Sequence, residues 1–141
     1  EKGNSFAITV IAPFAEAETR PAAVRVSALE SLAAIAERND ESAVRAALAA
    51  MKSRELSVRT AAENALLHIV EKGDQRAVDA MLSQLNGKDR DCYLQVAALM
   101  GLAQVAERGD NRVCSACLAA IRQGAPPVRQ AALRALVTLG N

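Results

Sequence analysis

Apolar residues recur along the chain at the spacing of one helical face, and the same face is written four times. Val24, Ala28, Ser31, Leu32 and Ile35 fall at i, i+4, i+7, i+8 and i+11. Val58, Ala62, Ala65, Leu66 and Ile69 repeat the set, as do Leu94, Ala98, Gly101, Leu102 and Val105, and Val128, Ala132, Ala135, Leu136 and Leu139. These steps trace one stripe of an α-helix. A second stripe lies between the copies of the first. It runs through Ile8, Ile11, Ala12 and Ala15, then Val44, Ala47, Leu48 and Met51, then Val78, Met81, Leu82 and Leu85, then Cys114, Cys117, Leu118 and Ile121. The pattern predicts paired helices, a first and a second in each repeat.

The polar positions punctuate the stripes. Glu1-Lys2-Gly3-Asn4, Glu37-Arg38-Asn39-Asp40, Glu71-Lys72-Gly73-Asp74 and Glu107-Arg108-Gly109-Asp110 follow one another at offsets of 36, 34 and 36 residues. Gly, or Asn in one copy, stands where a helix ends in a left-handed residue. The next residue, Asn4, Asp40, Asp74 or Asp110, can accept backbone N–H groups as the N-cap of a second helix. The signature is thus a tight helix–helix turn, not a charged active-site loop. Loops are expected near residues 17–21, 53–57, 86–91 and 123–127, marked by Pro21, Gly87 and Gly124-Ala125-Pro126-Pro127. Ser57 is expected to cap one first helix, and Pro126 or Pro127 suits the first turn of the last. Pro13 falls inside a second helix, which should kink or end early.

A period of this size belongs to stacked-repeat proteins, in which each unit buries its apolar face against the next. The expected fold is all-α: a superhelix, or solenoid, of about seven antiparallel helices. It reads as a single array over 1–141, with a half-repeat at 1–20, repeats at 21–55, 56–88 and 89–124, and a half-repeat at 125–141. Both ends of such an array would offer apolar stacking faces. A segment of a longer chain, with ends that stack on further repeats or neighbouring chains, is therefore expected.

Composition narrows the function classes. Apolar residues make up 51% of the 141 positions, enough for a core, while aromatics are only 2%. Lys plus Arg is 17 against 16 Asp plus Glu, so the net charge is +1. Neither a strongly polyanionic partner nor nucleic acid fits that balance, since stacking aromatics are scarce as well. Arg112, Arg122, Arg129 and Arg134 give the last thirty residues a modest basic bias. No apolar run reaches membrane-spanning length. The stretch from Lys2 to Ala15-Glu16-Ala17 imitates a signal peptide, but it fits the repeat register without a gap. Three cysteines leave at least one unpaired, and a reducing, intracellular, cytoplasmic setting is expected.

Cys114-Ser115-Ala116-Cys117 is the sharpest chemical motif, a C-x-x-C pair able to form a redox couple or half of a zinc site. Yet Cys114 stands in the column of Val44 and Val78, and Cys117 in that of Ala47 and Met81, so both read as small core residues. His68, the only histidine, aligns with Ala34 and Gln104 outside the stripe and is expected at the surface. No catalytic set, cofactor or metal site is assigned.

Val58-Arg59, Ala61-Ala62, Ala65-Leu66 and Ile69, echoed by Val24-Arg25 with Ala28 and Leu32 and by Val128-Arg129 with Ala131-Ala132 and Ala135-Leu136, carry a resemblance. The pattern resembles the HEAT repeat, in the short form also found in phycobilisome-lyase-type proteins, over nearly the whole chain. The resemblance implies an arginine ladder between repeats, with Arg25, Arg59 and Arg129 in place and Gln95 departing from it. Glu55 and Asp91 are the candidate acids, and the other copies lack one. It also implies a concave surface lined by the second helices. That surface is the expected binding site for a protein partner, with Phe6, Arg45, Ala49, Arg76, Asp79, Arg112 and Ser115 as its candidate contacts. Val10, Ala46, Ala80 and Ala116, then Pro13, Ala49, Ser83 and Ala119, would floor it with small residues. A non-catalytic interaction or scaffold module is the leading expectation. A bilin-lyase-like chromophore-attachment subunit is the alternative drawn from the resemblance, and a redox or metal module built on Cys114 and Cys117 is a third.

Overall fold

The computed structural model describes residues 5–86 and 92–140. The turn copy at residues 1–4, Gly87, the candidate acid Asp91 and Asn141 lie outside the described residues. Eight α-helices occupy the described chain, and no strand is found among those residues: α1 Ser5–Glu16, α2 Ala22–Ile35, α3 Glu41–Ala50, α4 Leu56–Ile69, α5 Gln75–Asn86, α6 Cys92–Val105, α7 Asn111–Gln123 and α8 Pro126–Leu139. Eight is one more than the expected seven or so, and the segment around Pro13 does not end early. Pro13 lacks the N–H that would bond back one turn, but α1 continues to Glu16 and Ala17 N–H closes onto Pro13 O at 3.1 Å. Burial of Ile8, Ala12 and Ala15 from this helix opposes the cost of the missing bond.

The chain divides into two compact units, residues 1–71 and 72–141. In the first, α1 packs against α2 and α3, and α4 covers α2 and α3. First helices thus lie on first helices, and second on second. In the other unit α5 pairs with α6, α6 packs on α8, and α7 pairs with α8.

The helix ends follow from the turn signature. Asn39 adopts φ +65°, Gly73 φ +88° and Gly109 φ +78°, the left-handed conformation that reverses the chain between helices. Asp40 then accepts from Ala43 N–H, Asp74 from Arg76 and Ala77 N–H, and Asp110 from Arg112 and Val113 N–H. Pro126 opens α8 as expected. Ser57 does not cap α4: the helix starts at Leu56, and Glu55 holds the N-cap without a side-chain bond. Ser53, two residues before, accepts the Glu55 N–H instead.

Each turn is also bonded to the end of a later first helix. Asn39 N–H donates to Ile69 O and Gly109 N–H to Leu139 O, both at 2.7 Å, and Gly73 N–H donates to Val105 O. Arg38 adds a bond to Val70 O, and Arg108 one to Thr138 O. These carbonyls belong to the final turn of a helix or the residue after it, where the helix supplies no N–H partner.

The core follows the stripes with three departures. In α2, Val24 is 39% exposed and Ser31 is exposed, whereas Leu29 is fully buried. In the second helices, Ala43, Ala77 and Val113 are fully buried, while Leu118 is 44% exposed. The third is Glu63. It stands in the register of Leu29, Leu99 and Leu133, yet is buried, and desolvation pushes its carboxyl up to about 7.

Arg25 is buried too. Its Nε donates to Ala15 O at 3.0 Å, and its Nη1 donates to Glu18 Oε2 at 2.9 Å and Ser53 Oγ at 3.1 Å. One side chain thereby ties the end of α1, the following loop and the turn after α3. Glu18 is the acid that the repeat pattern missed at this copy, because it sits well before the helix on the α1 side.

Candidate protein-binding surface on the second helices

The seven candidate contacts divide between the two units. Phe6, Arg45 and Ala49 lie in the first, on α1 and α3. Phe6 is 79% exposed, Arg45 is exposed and Ala49 is half-buried. Thr9 Oγ1, one turn from Phe6, bonds Ser5 O within α1. Ala46 is fully buried, so it is not available to a partner. It is an inner packing residue of α3, where alanine lets neighbouring helices approach closely.

Arg76, Asp79, Arg112 and Ser115 lie in the second unit, and there the structure brings two of them together. Arg112 of α7 donates from Nη1 to Asp79 Oδ1 of α5 at 2.7 Å, and from Nη2 to Gln75 Oε1. The Asp79 bond and its charge hold the Arg112 guanidinium above its ordinary range. Both side chains are more than half exposed, so this bridge sits in water. Arg76 bonds Asp74 Oδ2 at 3.2 Å. Burial pushes Asp74 up, but the Arg76 guanidinium and the N–H groups of Ala77 and Arg76 outweigh it and hold the carboxyl below its usual range.

Beside the bridge an open groove of about 530 Å³ runs between α5 and α7. Leu82 and Asn86 wall one side; Arg112, Ser115 and Ala116 wall the other. Further along, Asn86 and Ala116 also border a smaller cavity of about 210 Å³ that reaches Leu85, Gln95, Gln123 and Val128. The groove mixes a cation, amides and small apolar surface. It contains no arrangement of nucleophile, base and orienting acid among the described residues.

The cysteines separate by environment. Cys117 is fully buried, and desolvation, with the nearby Cys114 thiol, pushes its own thiol up to about 11. A thiolate is disfavoured there, which suits a packing residue and not a redox nucleophile. Cys114 is half-buried and Cys92 is exposed. Among the described residues no three His, Cys, Asp or Glu side chains gather as metal ligands. His68 lies at the surface, with Nδ1 2.8 Å from Asn64 O. None of the described helices is long and apolar enough to cross a membrane.

No protein-family model matches the chain, and no curated protein matches it either.

The sequence pattern missed the Arg112–Asp79 bridge. Arg112 belongs to the column of Phe6, Ser42 and Arg76, and Asp79 to that of Thr9, Arg45 and Ser115. The two columns are neighbours, and on successive second helices they place two residues of opposite charge, Asp79 and Arg112. That juxtaposition was the available signal.

Proposed function

We propose that the chain is a non-catalytic binding module built from HEAT-like repeats stacked as a solenoid, and that it holds a protein partner along the second helices of its repeats. The observation that carries this reading is the open groove between α5 and α7, bounded by the Arg112–Asp79 bridge. Its mixed lining suits a helix or an extended segment, with the small side chains of Ser115 and Ala116 beside a charge pair. Large aromatic anchors are few, so affinity comes from extended contact more than from single hot spots. On the first unit, Phe6 and Arg45 offer one exposed apolar and one charged contact on the corresponding helices.

Site-specific photo-crosslinking tests the reading. A benzophenone amino acid at Ser115 in the groove should capture a defined protein, and capture should fall when Arg112 and Asp79 are both replaced by alanine. The same probe at Arg134, on a first helix, should capture little. Equal capture from both positions would end the proposal that the second helices form the binding surface.

A further inference from the structure

We propose that the groove between α6 and α8 binds a free carboxylic acid with a straight apolar chain, its carboxylate held by Arg134. The groove has a volume of about 410 Å³, within the roughly 300–1,000 Å³ of small-molecule sites. It lies between two first helices that pack on each other, so it is separate from the second-helix surface and independent of the protein-binding reading. Its floor is Leu99, Ala131 and Ala135, all buried. The alanines leave the space, because larger side chains there would fill the slot between close-packed helices. Val96 and Met100 of α6 give it an apolar wall. Along α6 the lining runs from Val96 to Gln104, a rise of about 12 Å. A slot of that length takes a straight saturated chain lengthwise.

Charge selects the head group. Gln130, Arg134 and Thr138 stand at i, i+4 and i+8 on α8 and line the other side of the groove. Among the described residues, Arg134 alone is charged in this lining. Helix α6 contains no charged residue, and α8 contains Arg129 and Arg134 but no acid. The acids that follow α6 are engaged elsewhere: Glu107 lies against Gly73, and Asp110 caps α7. Segment 87–91, outside the described residues, carries Asp89 and Asp91 against Lys88 and Arg90 and so has no net charge. Arg134 is the repeat counterpart of Met100, more than two turns into the helix from that segment. Among the described residues its guanidinium has no ion-pair partner. The Thr138 hydroxyl donates back to Arg134 O at 3.0 Å, which leaves Arg134 and the Gln130 carboxamide as donors on this side. A guanidinium presents paired N–H groups that match both oxygens of a carboxylate. The repeat itself does not demand this arrangement. Shifting back by 70 residues carries Met100 to Glu30, Arg134 to Asn64 and Thr138 to His68. The second unit thus has an apolar side chain where the first has an acid, and a cation where the first has an amide.

The test titrates the whole chain, isotope-labelled at its methionine methyls, with sodium decanoate below micelle-forming concentration. Met100 lines the groove and is 57% exposed, whereas Met51 and Met81 are buried outside it. Decanoate is expected to shift the Met100 methyl signal saturably and to leave Met51 and Met81 in place. Decylammonium chloride, with the same chain and the opposite charge, and acetate, with the same head and no chain, should leave all three in place. Hexanoate should bind more weakly than decanoate, since it buries fewer methylenes. Arg134→Asn installs the first unit's residue at an exposed position. It should keep the thermal midpoint and weaken decanoate binding about fivefold, the effect of one exposed ion pair. Arg134→Lys should recover part of that loss. If Arg134→Asn does not fold, decanoate against decylammonium on the unaltered chain decides alone. Equal shifts with the two amphiphiles, movement of all three methionines together, or undiminished binding by a folded Arg134→Asn would overturn the proposal. Photo-capture of a protein at Arg134 with no decanoate shift at Met100 would give the groove to a polypeptide and overturn it as well.

Discussion

Asn39 donates its backbone N–H to the carbonyl oxygen of Ile69 at 2.7 Å, so the turn that closes one helix pair is completed by the next first helix. The donor is presented because Asn39 adopts φ +65°, and Gly73 and Gly109 do the same at φ +88° and +78°. A side chain at such a φ costs an ordinary L-residue about 1–2 kcal/mol. A Cβ on Gly73 would also meet Glu107 Oε1 at 2.5 Å. Gly73→Ala should therefore destabilise by about 1–2 kcal/mol, and Gly73→Asn by less, measured by urea unfolding. Part of the alanine cost should return in a Glu107→Ala background, where the side-chain contact is gone and the backbone strain remains.

Arg25 should be the most sensitive charged residue of the first unit. Removing one partner of a buried ionic contact typically costs about 3–5 kcal/mol. Glu18, the acid of the pair, is 56% exposed and can rehydrate. Arg25→Ala is thus expected near the lower end of that range, while Glu18→Gln should cost less than about 1 kcal/mol. Equilibrium unfolding of the two variants checks the asymmetry; equal losses would contradict it.

Glu63 imposes a pH dependence. Its folded carboxyl titrates near 7, raised from about 4.5 by burial. The folded state therefore holds its proton more tightly than the unfolded one. Stability from this group is fully present below about pH 4.5 and is lost as pH rises through 7. Glu63→Leu, which restores the residue of the other copies, should gain roughly 3 kcal/mol more at pH 8 than at pH 4.5. Urea unfolding of both proteins across that range reads the difference, and a gain independent of pH would contradict the burial argument.

Arg112 and Asp79 should matter for binding and not for folding. Exposed pairs contribute little because water and salt screen them and ordering two side chains is costly. Arg112→Ala is expected to leave the thermal midpoint unchanged and to weaken partner capture in the crosslinking assay. A large fall in the midpoint would reassign the bridge to structure.

The thiols should react in the order of their environments. At pH 8 Cys92 should label first, Cys114 more slowly, and Cys117 only after denaturation, since its thiol is buried and pushed up to about 11. Mass spectrometry of the native and denatured protein gives the three rates. Fast native labelling of Cys117 would reopen the redox reading of the C-x-x-C motif.

Much of this architecture was legible in the residues. The Asp caps at 40, 74 and 110 and the left-handed residues before them were readable because a helix end satisfies local rules within four residues. What was missed depends on partners far along the chain. The Arg25 bond to Glu18 was hidden because the acid lies on the far side of the loop. The stripe in α2 was misplaced by one column, since Val24 and Leu29 both look apolar and only packing decides which is covered. Glu63 is an exception of another kind: its charge suggests surface, although its column reads leucine in the other three copies, and the fold buries it. For the binding face, Ala46 looked like open floor because alanine gives no hint of which side of a helix it serves.

The bonds from Asn39 and Gly109 run only forwards, from an earlier turn to a later helix end. This gives each unit a direction. Peeling away α4 would strip Asn39 of its acceptor and loosen the capped start of α3, whereas detaching α1 leaves that link in place. Loss of order in the first unit should therefore propagate back from its trailing edge more readily than inward from its front, like a zip with its slider at one end.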